Sequence, residues 1–267
     1  MSKIVLVTGA SSGIGKSIAL FLSSNGFKVY GTCRDPKKYN IIDFNLLKCD
    51  ITSINEIKEC VNFIIKKEGR IDILINNAGI GITGSMEETS EIDMKTAFET
   101  NLYGPINIIK ECIPSMRNQK SGLVINITSV MGYFALPFRG VYSATKSSME
   151  IVGEAFSMEL NKFNIKVVNI APGDFKTDII SRRINTPSLS NSLYKKDYIN
   201  SIDSANNHVK NALSPDIISK LVYKIIKSKN PKIHYKVGTF IQKFSIVLKG
   251  LLPDRLFEKI LIYYNKN

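Results

Sequence analysis

A four-residue apolar, β-branched run, Ile4-Val5-Leu6-Val7, is broken by Thr8-Gly9, and a stretch of helical period begins at Gly15 with Ile18, Ala19 and Leu22 on one side. A strand that passes through a glycine turn into a helix is the opening of a strand–helix–strand crossover, and such crossovers build parallel sheets. The same unit repeats. Apolar runs return at 27–32, 46–48, 71–75, 123–128 and 166–170, with helical-period segments between them, such as 54–67, where Ile57, Val61, Ile64 and Ile65 share a face. This alternation predicts an α/β chain, a Rossmann-like doubly wound parallel sheet in a three-layer α/β/α arrangement. No internal repeat or low-complexity linker interrupts it, so residues 1–267 are expected to form a single domain.

Two segments fall outside the series. Residues 175–211 mix Ser, Asn, Tyr and charges without a period and read as an insertion or flexible lid. After a helix at 215–227 and a last strand at 232–237, residues 239–267 form an amphipathic helical extension. There Phe240, Ile241, Phe244, Val247, Leu248 and Leu251 make one stripe opposite Lys243 and Lys249. That stripe is expected to be covered, by the protein itself or by a partner copy in a homo-oligomer, with peripheral membrane contact as the other use of such a tail.

Composition excludes several classes. With 44% hydrophobic and 22% charged residues, and nine prolines against seventeen glycines, the chain is neither disordered nor collagen- or mucin-like. The four cysteines, Cys33, Cys49, Cys60 and Cys112, contain no C-x-x-C pair and are too sparse for a disulfide framework. They read as buried thiols, and with no signal-peptide core at the N-terminus the expected location is cytoplasmic. His208 and His234 are the only histidines, neither in a cluster with ligand spacing, so both read as structural or surface residues and no metal is expected. The formal net charge is +13, and residues 216–267 carry eleven Lys/Arg against three Asp/Glu. No zinc-finger or RNA-binding aromatic motif accompanies this charge, so it reads as a lysine-rich habit of the chain and not as a nucleic-acid surface.

The turn Thr8-Gly9-Ala10-Ser11-Ser12-Gly13-Ile14-Gly15 lies between the first strand and the first helix, the context in which glycines cradle phosphate. Gly9 allows the tight turn, Gly13 lets the backbone approach a pyrophosphate, Gly15 allows close packing, and free N–H groups at the helix start face the ligand. This turn resembles the T-G-x-x-x-G-I-G motif of the short-chain dehydrogenase/reductase family. Asn76-Asn77-Ala78-Gly79 is similar to that family's N-N-A-G, Tyr142-Ser143-Ala144-Thr145-Lys146 to its Y-x-x-x-K, and Pro172-Gly173 to its P-G turn. The matched segments run from Lys3 to about Thr177 in the family's order and spacing, and the resemblance implies a nicotinamide-dependent oxidoreductase.

The resemblance places the cofactor along Gly9, Ser11, Ser12, Gly13, Ile14 and Gly15, with Asp50 and Ile51 at the adenine, Asn77, Ala78 and Gly79 as the adenosine-side wall, and Pro172, Gly173, Phe175 and Thr177 beyond the sixth strand of the series. NAD enzymes of the family carry an Asp at the end of the second strand; here that place is Cys33, followed by Arg34. A guanidinium pairs with a 2′-phosphate dianion and stacks on adenine, so NADP(H) is favoured over NAD(H), although Asp35 beside it weakens the field.

Tyr142 and Lys146 stand four apart in a segment reading as a long helix, 141–161, and so project from one face. An ammonium near a phenol of reference pKa ~10 is expected to lower it toward use as an acid/base. Tyr142 then protonates a carbonyl oxygen as hydride arrives, or takes the alcohol proton in reverse. Ser129, just past a strand end, is placed to hydrogen-bond that oxygen. The resemblance further implies that Lys146 donates to the nicotinamide ribose, and that Asn101 anchors a water relaying protons to it. The catalytic set expected is therefore Asn101, Ser129, Tyr142 and Lys146.

Met131, Tyr133, Phe134, Leu136, Phe138 and Val141, with Phe175, Ile179 and Ile180, suggest an apolar wall suited to a lipophilic carbonyl or alcohol, while Arg139 is the one charge placed to meet an anionic group. The tail is similar to that of the family branch containing steroid and retinol dehydrogenases and related bacterial reductases. A 3-oxoacyl-carrier-protein reductase, and a cofactor-sensing regulator without turnover, are the alternatives.

Overall fold

The computed structural model describes residues 2–177, 182–186, 191–210 and 212–266, with the side chains of 208, 210 and 264–266 set aside. Seven strands form one sheet: β1 (Ile4–Val7), β2 (Lys28–Cys33), β3 (Asn45–Lys48), β4 (Ile73–Asn76), β6 (Gly122–Ile127), β7 (Ile165–Pro172) and β9 (His234–Val237). Their order is β3-β2-β1-β4-β6-β7-β9, and every pairing is parallel. The order reverses between β1 and β4, the switch point where open parallel sheets leave a crevice at their carboxyl ends. Every strand expected from the apolar runs is present, with its ends within two residues of those expected.

Helices cover both faces. On one side α1 (Gly13–Ser24) and α7 (Asp216–Lys227) enclose a core of Val5, Val7, Ile18, Leu22, Ile75, Ile125, Ile218 and Val222. On the other side α2 (Ile54–Glu68), α4 (Gly104–Asn118) and α5 (Gly140–Leu160) enclose Leu6, Tyr30, Ile57, Ile64, Leu74, Ile108 and Met149. The helix α2 begins at Ser53, whose side chain accepts from the Glu56 amide, and ends at Gly69 with φ +75°, a conformation that a side chain would strain. A short helix α3 (Glu91–Phe98) runs into a π-helical turn, Glu99–Tyr103, a local departure that tends to occur at functional sites.

A polar ladder crosses the middle of the sheet. Asn76 and Asn126 are register partners, as are Asn126 and Asn169. Asn76 donates to Asn126 Oδ1 at 3.0 Å and Asn126 to Asn169 Oδ1 at 2.9 Å. Asn169 in turn donates to the Glu150 carbonyl and carboxylate on α5, and Glu150 also accepts from Thr128 and Tyr133 and contacts His234 Nδ1 at 2.9 Å. His234 is thus a structural residue of this network, while the His208 side chain lies outside the described set. All four cysteines are free and buried.

The insertion is more structured than its sequence suggested. It contributes a two-stranded parallel piece, β5 (Ile82–Thr83) with β8 (Ile184–Asn185), and a sixteen-residue helix, α6 (Lys195–Lys210). The helix was hidden by its Asn- and Ser-rich composition, yet Tyr194, Tyr198, Ala205 and Val209 follow a helical spacing. Ile179 and Ile180, expected at the lid start, lie outside the described residues.

The extension forms two helices, α8 (Phe240–Leu251) and α9 (Asp254–Lys266), separated at Pro253. A capping box between Thr239 and Gln242 starts α8. The expectation that its stripe is buried against the protein is not met: Phe240 and Leu251 are 74% and 73% exposed, and Ile241, Phe244 and Val247 are exposed too. What holds α8 is the other face, where Ile246 is buried and Gln242 Nε2 donates to Asp174 at 2.7 Å. Phe257 anchors α9, packing edge-on against Phe134. No described helix is long and apolar enough to cross a membrane.

Candidate active site

One cleft of about 860 Å³ runs along the carboxyl ends of β1, β2, β4, β6 and β7. All of the sequence-predicted cofactor and reaction residues except Gly15 and Asn101 line it. Those two act from behind the wall.

The glycine turn is built for backbone proximity. Gly9 and Gly13 adopt φ +65° and +55°. A side chain on Gly15 would overlap the Gly9 carbonyl and the Asn77 carboxamide. Asn77 is itself spent on the turn, donating to the carbonyls of Thr8 and Gly9 at 3.0 and 3.1 Å, while Thr8 Oγ1 accepts from the amides of Asn77 and Ala78. So Asn77 shapes the phosphate turn besides walling the cleft. Ser12 is the N-cap of α1 but its side chain makes no capping bond, which leaves the hydroxyl and the first helical amides facing the cleft. Such an N-terminus favours an anion, and this bare, side-chain-free turn fits a dinucleotide pyrophosphate.

Past β2, Cys33 is buried and Arg34 is exposed at the cleft. Lys38 pairs with Asp35 at 3.4 Å, which offsets the carboxylate that the sequence set against Arg34. Arg182, from the insertion, joins them and donates to Tyr39 Oη at 3.3 Å; nothing in the sequence motif pointed to it. Asp50 directs its carboxylate to Thr52, accepting from its amide and hydroxyl.

At the reaction end α5 carries Tyr142 and Lys146 on one face, with Lys146 Nζ 5.9 Å from the Tyr142 ring centre. Lys146 is only 7% exposed and donates to the Ile127 carbonyl at 3.1 Å. Burial pulls its pKa down to about 8, with Glu150 pulling the other way. The phenol departs from expectation. Burial pushes Tyr142 up, and the Ser129 hydroxyl and the charges of Arg139 and Arg183 oppose it. Ser129 also caps the 3-10 turn Val130–Gly132, accepting from the Met131 amide at 3.2 Å. Asn101 lies in the π-helical turn, clamped to the Ile80 backbone on both sides and donating to Thr145 Oγ1 at 3.1 Å.

The substrate wall differs from the sequence reading. Met131 and Phe175 line the cleft, but Tyr133 turns to Glu150 and Phe134 to α9. Val141 belongs to a small core with Ile82 and Ala97. Phe138 packs edge-on against Tyr194 and Tyr198 of the insertion, with ring centres 6.5 and 5.6 Å away. Among the described residues no group of three His, Cys, Asp or Glu is placed to hold a metal.

Residues 3–187 match the sequence model of the short chain dehydrogenases. The chain belongs to that family. A 3-ketodihydrosphingosine reductase of Bacteroides thetaiotaomicron is 37% identical over 264 residues, covering 98% of each chain. Among solved structures, a short-chain dehydrogenase from Streptomyces avermitilis superposes with a TM-score of 0.80 over 97% of each chain at 26% identity. ElxO with NADP bound superposes at 0.73 over 89% of this chain and 97% of its own, at 25% identity. The protein is accordingly an oxidoreductase acting on CH–OH or carbonyl groups with a nicotinamide cofactor, and the cleft at the switch point is where that family fold presents it.

Proposed function

We propose that this short-chain dehydrogenase is an NADP(H)-dependent reductase of a lipophilic ketone or aldehyde, and the reverse oxidant of the alcohol. The observation that carries the reading is Tyr142, lining the cleft together with Ser129 and one helical turn from a buried Lys146. The nucleotide preference is supported by Arg34, Lys38 and Arg182 gathered at a β2 end that bears Cys33 in place of an acid, and by the NADP held in ElxO. The lipophilic wall is supported by Ile82, Met131, Phe175 and Ile184, which line the cleft, and by the sphingoid ketone named for the Bacteroides relative.

The glycine turn and the start of α1 would hold the pyrophosphate, and the basic trio the 2′-phosphate. Bound there, the nicotinamide supplies or accepts the hydride. Ser129 and Tyr142 converge on the substrate oxygen and orient it. Burial keeps the phenol protonated, so Tyr142 enters the reductive direction as the acid, donating its proton to the oxygen as negative charge develops there. The Lys146 ammonium then favours the phenolate left behind, and Asn101 ties the Ile80 backbone to Thr145 of α5. The exposed stripe of α8, flanked by Lys243 and Lys249, we read as a peripheral contact with an anionic membrane surface.

Tyr142→Phe tests the assignment: NADPH binding stays, while turnover falls by ~10² to 10⁴. Near-normal turnover in the folded variant would refute it.

A further inference from the structure

Six cationic side chains line the cleft, and the nucleotide does not account for all of them. Arg34, Lys38 and Arg182 gather at the β2 end, and Lys146 stands behind the phenol. Arg139 and Arg183 remain. Arg139 is the residue before α5, three positions ahead of Tyr142, and lines the same cleft as that phenol. Its guanidinium is half-buried and makes no hydrogen bond or ion pair among the described residues. Arg183 comes from the insertion, packs across Gly81, and among the described residues donates only to the neutral Asn206 Oδ1 at 3.3 Å.

Burial and Arg183 pull the Arg139 pKa down to about 10, and Arg183 is lowered by burial as well. Among the described residues Asp174 is the one carboxylate acting on both, and it also accepts from Gln242 of α8. Two like charges sharing one acid in a partly buried site are unfavourable unless a further anion joins them. The backbone points the same way. Phe138, which aims Arg139, sits at φ +63°, a left-handed conformation costly for a bulky residue and typical of places where a chain is held for function. Its ring packs edge-on against Tyr194 and Tyr198 of the insertion, which brace the turn before Arg139.

We infer that Arg139 and Arg183 form an anion subsite, and that the substrate is an amphiphile bearing a carboxylate, phosphate or sulfonate a few bonds from the reacting carbon, its chain lying along Ile82, Met131, Phe175 and Ile184 of the cleft. This deepens the hydride-transfer reading and rests on it only for which carbon reacts. A cationic head, as on a sphingoid base, would meet two guanidiniums.

The test separates binding from turnover. Calorimetric titration of the NADP⁺-loaded enzyme compares octylphosphonate with octyltrimethylammonium. The phosphonate binds at least tenfold tighter; Arg139→Gln and Arg183→Gln each remove most of that preference, and Arg139→Lys restores part of it. The turnover arm compares 2-oxononylphosphonate with 2-decanone, for which kcat/KM favours the phosphonate by a similar factor that collapses toward one in the glutamine variants. Equal binding of the two ions, or a preference unmoved by both glutamine variants, overturns the subsite. Phosphonate preference with no reduction of either ketone upholds the subsite and counts against the hydride-transfer reading alone.

Discussion

Gly15→Ala probes how the cofactor turn is held. The added methyl would overlap the Gly9 carbonyl oxygen and the Asn77 carboxamide. Neither gives way cheaply. Gly9 is already in a left-handed conformation pressed on the Ala78 backbone, with only 2.9 Å between a Cβ built on it and the Ala78 Cα. Asn77 would have to swing away from the two carbonyls it bonds. Overpacking of this kind costs ~1 to 3 kcal/mol, and each of the two displaced hydrogen bonds about 0.5 to 1.5 kcal/mol, for a total of roughly 2 to 6 kcal/mol. At ~2 to 4 °C per kcal/mol for a chain of this size, the melting temperature falls by roughly 4 to 24 °C. The damage is concentrated where the pyrophosphate is expected, so NADPH affinity, read by fluorescence titration, drops more than 30-fold and NADPH no longer raises the melting point. Gly250→Ala is the matched control: nothing lies within 4 Å of its built Cβ, and alanine in a helix interior adds ~0.5 to 1 kcal/mol of stability. A Gly15→Ala protein that melts within a degree of wild type and binds NADPH within threefold would refute this account of the turn.

Arg34→Ala raises the KM for NADPH by roughly 10- to 100-fold with little change for NADH, the scale of one charge-assisted contact; a wild type that prefers NADH removes the basis for the cofactor preference. Burial lowers the pKa of Lys146, so its ammonium is intact below about 8 and is lost as pH rises through that value. kcat/KM therefore declines on an alkaline limb near pH 8, while fold stability rises from there toward the unfolded-state value of ~10.4, because the folded chain releases its proton first; a profile flat to pH 9.5 contradicts this. The exposed face of α8 predicts co-sedimentation with phosphatidylserine liposomes at low salt, reversed by high salt and by Phe240→Ser with Phe244→Ser. A monodisperse protein that ignores such vesicles leaves the stripe to a second copy of the chain.

The alternating runs carried the sheet and its order because parallel strands buried on both faces are written as continuous apolar segments. The phosphate turn and the Tyr142–Lys146 spacing were legible for a related reason: backbone approach demands glycine, and a shared helix face demands four residues. Arg182 and Arg183 were not, since they reach the cleft through an insertion whose helix is polar and whose packing rests on Tyr194 and Tyr198. Tertiary burial also decided the sign of the Tyr142 shift. Sequence spacing puts an ammonium near the phenol, but cannot weigh it against the loss of water around both. The α8 stripe showed the opposite limit, as periodicity located an apolar face without saying what, if anything, covers it.

The row of carboxamides through Asn76, Asn126 and Asn169 bears on how this sheet finds its alignment. Strands β4, β6 and β7 are parallel, so no hairpin turn sets their relative positions, and apolar neighbours alone tolerate sliding. A slip by one residue would turn these amides to the opposite face and strand them, at about 1 to 3 kcal/mol apiece. That sum rivals the whole margin of ~5 to 15 kcal/mol by which a domain stays folded. The three asparagines thus work as a checksum, passed only when all rungs meet. Because the last rung closes on Glu150, one turn beyond Lys146 on α5, a chain that has registered its strands has, in the same step, fixed the height at which its phenol and ammonium stand above them.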